Sequence, residues 1–280
     1  MSIPNLVGVF GGGRMGAGIA HAFVSAGANV VIIEANLEAA DAAAQRVSDS
    51  LNKAAERGTL TESTATIEGR LEVSTDLASL AEAGLVIEAV PEDRALKARI
   101  LASVAAAAPT AVLASNTSSL SIDGLAVDLP DPTRFLGLHF FNPVPASDLV
   151  EIVVGTKTAA EIVNAAQDWV AELGKVAVTV TDSPGFASSR LGVAIALEAM
   201  RMLDEGVASA EDIDTAMTLG YRHPVGPLKT TDIVGLDVRL AIAEHLEREL
   251  GPRFAPPQVL KDKVANGHLG RKTGQGFYTW

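Results

Sequence analysis

Leu6-Val7-Gly8-Val9-Phe10-Gly11-Gly12-Gly13-Arg14-Met15-Gly16 is an apolar run that breaks into glycines and continues as a helical pattern over residues 15–26. Gly11, Gly13 and Gly16 fit G-x-G-x-x-G with a strand before and a helix after, the context a dinucleotide site needs. The first two glycines allow a tight turn and close approach of a pyrophosphate. The third lets the helix pack on the strand, and the helix start offers free N–H groups and a positive dipole end. Residues 29–34, Asn-Val-Val-Ile-Ile-Glu, form a second strand ending in Glu34, 18 positions after Gly16. A carboxylate there accepts hydrogen bonds from the adenosine ribose and repels a 2′-phosphate, which favours NAD over NADP.

Working outward, the alternation continues. Residues 37–57 read as a long helix stopped by Gly58. Lys53 and Arg57 share a face of it at i,i+4, a basic spot that fits either a phosphorylated substrate or a solvated surface. His21, inside the first helix, reads as structural. Short helices fit residues 61–69 and 76–83, and strands fit 71–74 and 85–90. Pro91-Glu92-Asp93 reads as a helix start with acids in its first turn, the helix running to about residue 107. A strand at 111–114 leads into Ser115-Asn116-Thr117-Ser118-Ser119. Ligands of open α/β sheets sit outside the C-terminal strand ends, so this segment suits a nicotinamide or a substrate oxygen. Ser118 or Ser119 equally suits the cap of the next helix.

The run at residues 135–141 is apolar except for His139, and the run at 149–154 carries one charge, Glu151. Pro143 and Pro145 separate them. Adjacent strand ends bring an imidazole and a carboxylate within hydrogen-bond reach. A buried Glu fixes the tautomer of a His and raises its basicity, which makes a general base. A structural ion pair within the sheet fits the same stretch. A helix at 159–173, Gly174 as its C-cap and a strand at 176–180 follow. The alternation from residue 6 to 180 predicts an α/β fold with a Rossmann-like, doubly wound, mostly parallel sheet.

The pattern changes at Thr181-Asp182-Ser183-Pro184-Gly185-Phe186. Helical stretches then cover residues 187–205, 210–219, 228–250 and 257–265, with no convincing strand before the last few residues. The expected domains are residues 1–182 and an all-helical 183–280. The latter is too thin to bury its apolar faces alone, which points to packing on the first domain and on another subunit. The basic, glycine-rich tail at residues 270–278 reads as a ligand loop or a tied-down terminus.

Bulk properties narrow the class. The 280 residues are 48% hydrophobic and 20% charged, with a net charge of −12. This excludes disorder and argues against nucleic acid or an anionic membrane as partner. Cysteine is absent, which removes disulfides, thiolate metal sites and cysteine nucleophiles; no metal is expected. No apolar run approaches the length of a membrane span, and the first residues carry no secretory pattern, so the expected location is cytoplasmic.

Together, Gly11-Gly12-Gly13-Arg14-Met15-Gly16, Ser115-Asn116-Thr117-Ser118-Ser119, His139-Phe140-Phe141-Asn142-Pro143, Asp182-Ser183-Pro184-Gly185-Phe186 and Lys272-Thr273-Gly274-Gln275-Gly276-Phe277-Tyr278 resemble the 3-hydroxyacyl-CoA dehydrogenase family, in its order and across nearly the whole chain. The resemblance implies NAD-dependent oxidation of (S)-3-hydroxyacyl-CoA, short-chain as with 3-hydroxybutyryl-CoA, and a homodimer formed through the helical domain. It places His139 as general acid/base, Glu151 as its orienting partner and Ser118 near the substrate oxygen and nicotinamide. It places Glu92, Lys97, Asn142 and Lys272 at cofactor contacts beside the loop residues Gly11, Gly13, Arg14, Met15 and Gly16. Ser50 and Arg57, with Lys53 between them, fall near its coenzyme A contacts. One position departs: the family reads Pro-Gly-Phe-x-x-Asn-Arg, and Ser189 stands here for the active-site Asn, offering one donor where the amide has two. Two other readings stay open, an NAD-dependent dehydrogenase of a different small hydroxy acid and a non-catalytic NAD-binding protein.

Overall fold

Strand β1 (Leu6–Phe10) is apolar on both faces because both faces are covered; Val7 and Val9 are fully buried. In the computed structural model, which describes residues 2–280, β1 lies inside an eight-stranded sheet of order β3-β2-β1-β4-β5-β6-β7-β8. In chain order the elements are α1 (Arg14–Ser25), β2 (Asn29–Ile33), α2 (Leu37–Glu56), α3 (Thr64–Glu68), β3 (Leu71–Ser74), β4 (Leu85–Glu88), α4 (Arg94–Ala107), β5 (Val112–Ser115), α5 (Ile122–Ala126), β6 (Phe135–Phe140), β7 (Leu149–Val154), α6 (Ala160–Glu172) and β8 (Val176–Thr181). Six of the seven strand pairs are parallel; β6 and β7 run antiparallel. The short, proline-containing link between β6 and β7 dictates this, because a parallel return needs a crossover of a dozen or more residues. Strand order reverses between β1 and β4, and a ligand crevice belongs at the C-terminal ends of those two strands.

Three local expectations are corrected. The helix expected over residues 76–83 is a single tight turn, Leu77–Leu80, capped by the Asp76 side chain. The helix expected from Pro91 begins at Arg94, and Asp93 is its N-cap, accepting from the Leu96 N–H at 2.7 Å. Its acids therefore lie before the helix rather than in its first turn. Neither Ser118 nor Ser119 caps α5; Ser121 does, accepting from Gly124 N–H at 2.9 Å.

The chain divides into two compact units, the first ending at Ser183 and the second being Pro184–Trp280. The second holds α7 (Ser188–Asp204), α8 (Ala210–Thr215), α9 (Pro227–Val234), α10 (Leu236–Leu250) and α11 (Gln258–Ala265). Their shared core includes Leu197, Met200, Leu228, Leu236, Leu246 and Leu260. The helix expected over residues 228–250 is two helices, because Gly235 takes φ = 111°, which no α-helix contains. The helix expected over residues 210–219 ends at Thr215 and continues as a wider π-type turn over Ala216–Gly220.

Candidate active site

The turn between β1 and α1 is shaped for a phosphate. A Cβ on Gly16 would collide with the Gly11 carbonyl oxygen, so only glycine lets α1 close on the turn. No side chain caps the start of α1 at Gly13, and a Cβ there would meet nothing within 4 Å. The leading N–H groups of a twelve-residue helix therefore face open space, which fits an anionic ligand. Glu34, just past β2, accepts from Gly12 N–H at 2.6 Å, so the carboxylate expected at the ribose stands beside the loop. These features fit NAD.

Next to this turn a cleft of about 390 Å³ is lined by Arg14, Arg46, Asp49, Ser50, Lys53 and Asn142, among others. The structure thus gathers Arg14, Ser50, Lys53 and Asn142, which the sequence scatters. Arg57, the C-cap of α2, is exposed and outside this lining. Arg46 went unnoticed in the sequence. Its guanidinium donates to the Gly12 carbonyl at 3.2 Å. The spacing 46, 50, 53 is one helical face, and it was the available signal.

The ends of β4 and β5 are knotted by buried charge. Glu88 and Lys97 are each 1% exposed and pair at 2.7 Å. Glu88 also accepts from Ser115 Oγ at 2.6 Å and from Val90 N–H at 2.7 Å. Lys97 donates to the Val90 carbonyl at 3.0 Å and approaches Glu92 at 3.4 Å. Glu92 Oε1 gathers Thr117 Oγ1 at 2.6 Å, Ser118 N–H at 2.8 Å and Ser119 N–H at 3.0 Å, with both serine hydroxyls near. Burial alone would raise the Glu92 pKa, but the Lys97 ammonium and these donors outweigh it and hold the carboxyl below its ordinary value. From its buried place Lys97 holds Glu88 and Glu92, and through Glu92 the 115–119 segment. Glu88 was passed over as part of a strand; a lone acid in an apolar run was the signal, as it was for Glu151.

His139 and Glu151 face each other across β6 and β7, in direct register. Glu151 Oε2 lies 2.8 Å from His139 Nδ1, and the two residues are 1% and 6% exposed. With Nδ1–H donated to the carboxylate, the lone pair sits on Nε2. Asn116 steadies this end of β6 by accepting from Phe140 N–H at 2.8 Å.

In the helical unit, Ser189 lies in the first turn of α7 and is half-buried. Lys272 Nζ contacts both Asp237 carboxylate oxygens at 2.6 Å and is 47% exposed. The tail beyond it is tied down. Asp232 accepts from Phe277 N–H, Tyr278 N–H and Trp280 Nε1–H at 2.8–2.9 Å, and Asp214 accepts from Tyr278 Oη at 2.8 Å.

Residues 6–183 match the model of the 3-hydroxyacyl-CoA dehydrogenase NAD-binding domain, and residues 185–280 that of the 3-hydroxyacyl-CoA dehydrogenase C-terminal domain. The chain is 42% identical to the 3-hydroxybutyryl-CoA dehydrogenase of Mycobacterium tuberculosis, with 98% of each covered. It is 40% identical to the 3-hydroxyadipyl-CoA dehydrogenase of Escherichia coli, over 98% of this chain and 58% of that one. The crystal structure of (S)-3-hydroxybutyryl-CoA dehydrogenase from Ralstonia eutropha superposes with a TM-score of 0.95 at 40% identity, covering 99% of each chain.

Proposed function

The chain belongs to the 3-hydroxyacyl-CoA dehydrogenase family and is an NAD-dependent enzyme, and from that premise we propose that His139 is its general base, oriented by Glu151, acting on the (S)-3-hydroxy group of a short-chain acyl-CoA. The observation that carries this reading is the buried 2.8 Å contact between His139 Nδ1 and Glu151 Oε2 on paired strands. NAD, when bound, supplies the acceptor for the hydride from C3. His139 Nε2 takes the hydroxyl proton, and the Glu151 carboxylate stabilises the imidazolium that forms. Glu34 and the turn at residues 11–16 hold the dinucleotide. The cations Arg46 and Lys53, with Ser50, suit the phosphates of coenzyme A, while Arg14 stays with the dinucleotide loop. Ser118, pinned by Glu92, stands ready beside the substrate oxygen.

NADH formation from (S)-3-hydroxybutyryl-CoA, run beside the (R)-thioester and free 3-hydroxybutyrate, tests the substrate; only the (S)-thioester is expected to react. His139→Ala is expected to lower kcat by about 10²–10⁴-fold while leaving NAD binding intact. Turnover near wild type would remove His139 from this role. We also propose that two copies pair through the helical unit, whose exposed apolar side chains include Leu191, Leu219 and Tyr221. A monomer in sedimentation at micromolar concentration would refute that.

A further inference from the structure

Gly12, in the dinucleotide turn, is held from both sides by residues far along the chain. Its N–H donates to Glu34 Oε1 at 2.6 Å, and its carbonyl accepts from Arg46 Nη1 at 3.2 Å. Gly12 is buried, and a Cβ on it would collide with the Cβ of Ala43, three residues before Arg46 on α2. The turn therefore lies directly against α2, close enough for a side chain of that helix to hold its backbone.

The same arginine also lines the cleft of about 390 Å³, beside Ser50 and Lys53 on one face of α2. A guanidinium has five N–H donors in a fixed fork. The Gly12 carbonyl engages one nitrogen, which leaves the rest of the fork for a ligand in the cleft. Asp49, the acid in the same lining, is engaged by Gln45 Nε2 at 2.8 Å. Lys53 brings charge to the cleft but, among the described residues, makes no hydrogen bond to the turn. Arg46 alone of these two cations touches both the dinucleotide turn and the cleft.

We propose that Arg46 is a positioning residue that couples the two ligands: the dinucleotide in the turn and the coenzyme A phosphates in the cleft each tighten the other's binding through the contact between Arg46 and the Gly12 carbonyl. This rests on the reading that the cleft takes coenzyme A. An arginine on a helix surface loses rotamer freedom when it orders around a phosphate. A dinucleotide seated on the turn fixes the Gly12 backbone, and with it the carbonyl that aims the guanidinium. The phosphate then meets a fork that is already ordered. In the other direction, a phosphate held by the fork keeps Nη1 on the Gly12 carbonyl and steadies the turn. Linkage requires the two effects to be equal in size.

The test is calorimetric titration of the full chain with NADH and free coenzyme A, a pair that undergoes no reaction. The Kd of coenzyme A is measured with and without saturating NADH, and the Kd of NADH with and without saturating coenzyme A. In the wild type both are expected to tighten by the same factor, about 5-fold or more. Arg46→Met keeps the stem and removes the fork; it is expected to weaken coenzyme A and bring the coupling factor to about one. Lys53→Met is the control for charge alone and is expected to weaken coenzyme A with the factor kept. A wild-type factor of one overturns the coupling. So does a factor that survives in Arg46→Met, or one lost equally in Lys53→Met. A coenzyme A affinity that neither substitution moves would instead take coenzyme A out of the cleft, and the proposal would fall with that reading.

Discussion

Lys97 and Arg239 are both buried cations, and they are treated in opposite ways. Lys97 is surrounded by Glu88, the Val90 carbonyl and Glu92. Arg239 has a buried Nε with no acceptor. His21 shows a third solution. Burial, helped by the Lys175 charge, pushes its pKa down to about 4, so it remains neutral. A buried base can be matched, can give up its proton, or can stay charged and unmatched. The first two fix structure.

The widest test of this contrast is Lys97→Met. It strands Glu88 in the interior without its cation, and loss of about 3–5 kcal/mol of stability is expected in urea unfolding. A loss under about 1 kcal/mol would mean the network is ornamental. The His21 effect is next and depends on pH. The folded protein refuses a proton that the unfolded chain accepts between its ordinary pKa of 6.5 and about 4. Stability from this source is complete above 6.5 and declines as pH falls toward 4, by about 3 kcal/mol. His21→Leu should flatten that slope; unfolding curves at neutral and acid pH with equal slopes in both proteins would refute it.

Glu92→Gln should cost less, about 1 kcal/mol, because Glu88 still neutralises Lys97 while one charged acceptor is lost from the 117–119 segment. Its more telling readout is a raised KM for NAD. In the wild type the low Glu92 pKa also means that this contribution fades as pH falls through the acid range. Arg239→Leu should have the smallest effect on stability, and of opposite sign to Lys97→Met: unchanged within about 1 kcal/mol, or a gain. A loss comparable to that at Lys97 would show that the guanidinium is already satisfied and would end the contrast.

The sequence alone pointed to the βαβ start, to Glu34 as the residue expected at the ribose, to a boundary near residue 182 and to the candidates His139 and Glu151. All are local signals, carried by periodicity, glycine spacing or a lone charge in an apolar run. Only the tertiary structure decided the register that sets His139 opposite Glu151, since a one-residue slip would turn the two side chains to opposite faces. It also decided the break at Gly235, where the helical pattern runs unbroken through the sequence but the backbone must turn. It identified Ser121 rather than Ser118 or Ser119 as the cap, because those two serines bend to Glu92 across the sheet. The partners of Lys97, and the lack of a carboxylate at Arg239, were invisible beforehand for one physical reason. Charge compensation acts through space over a few ångströms, between residues whose separation along the chain carries no record of it.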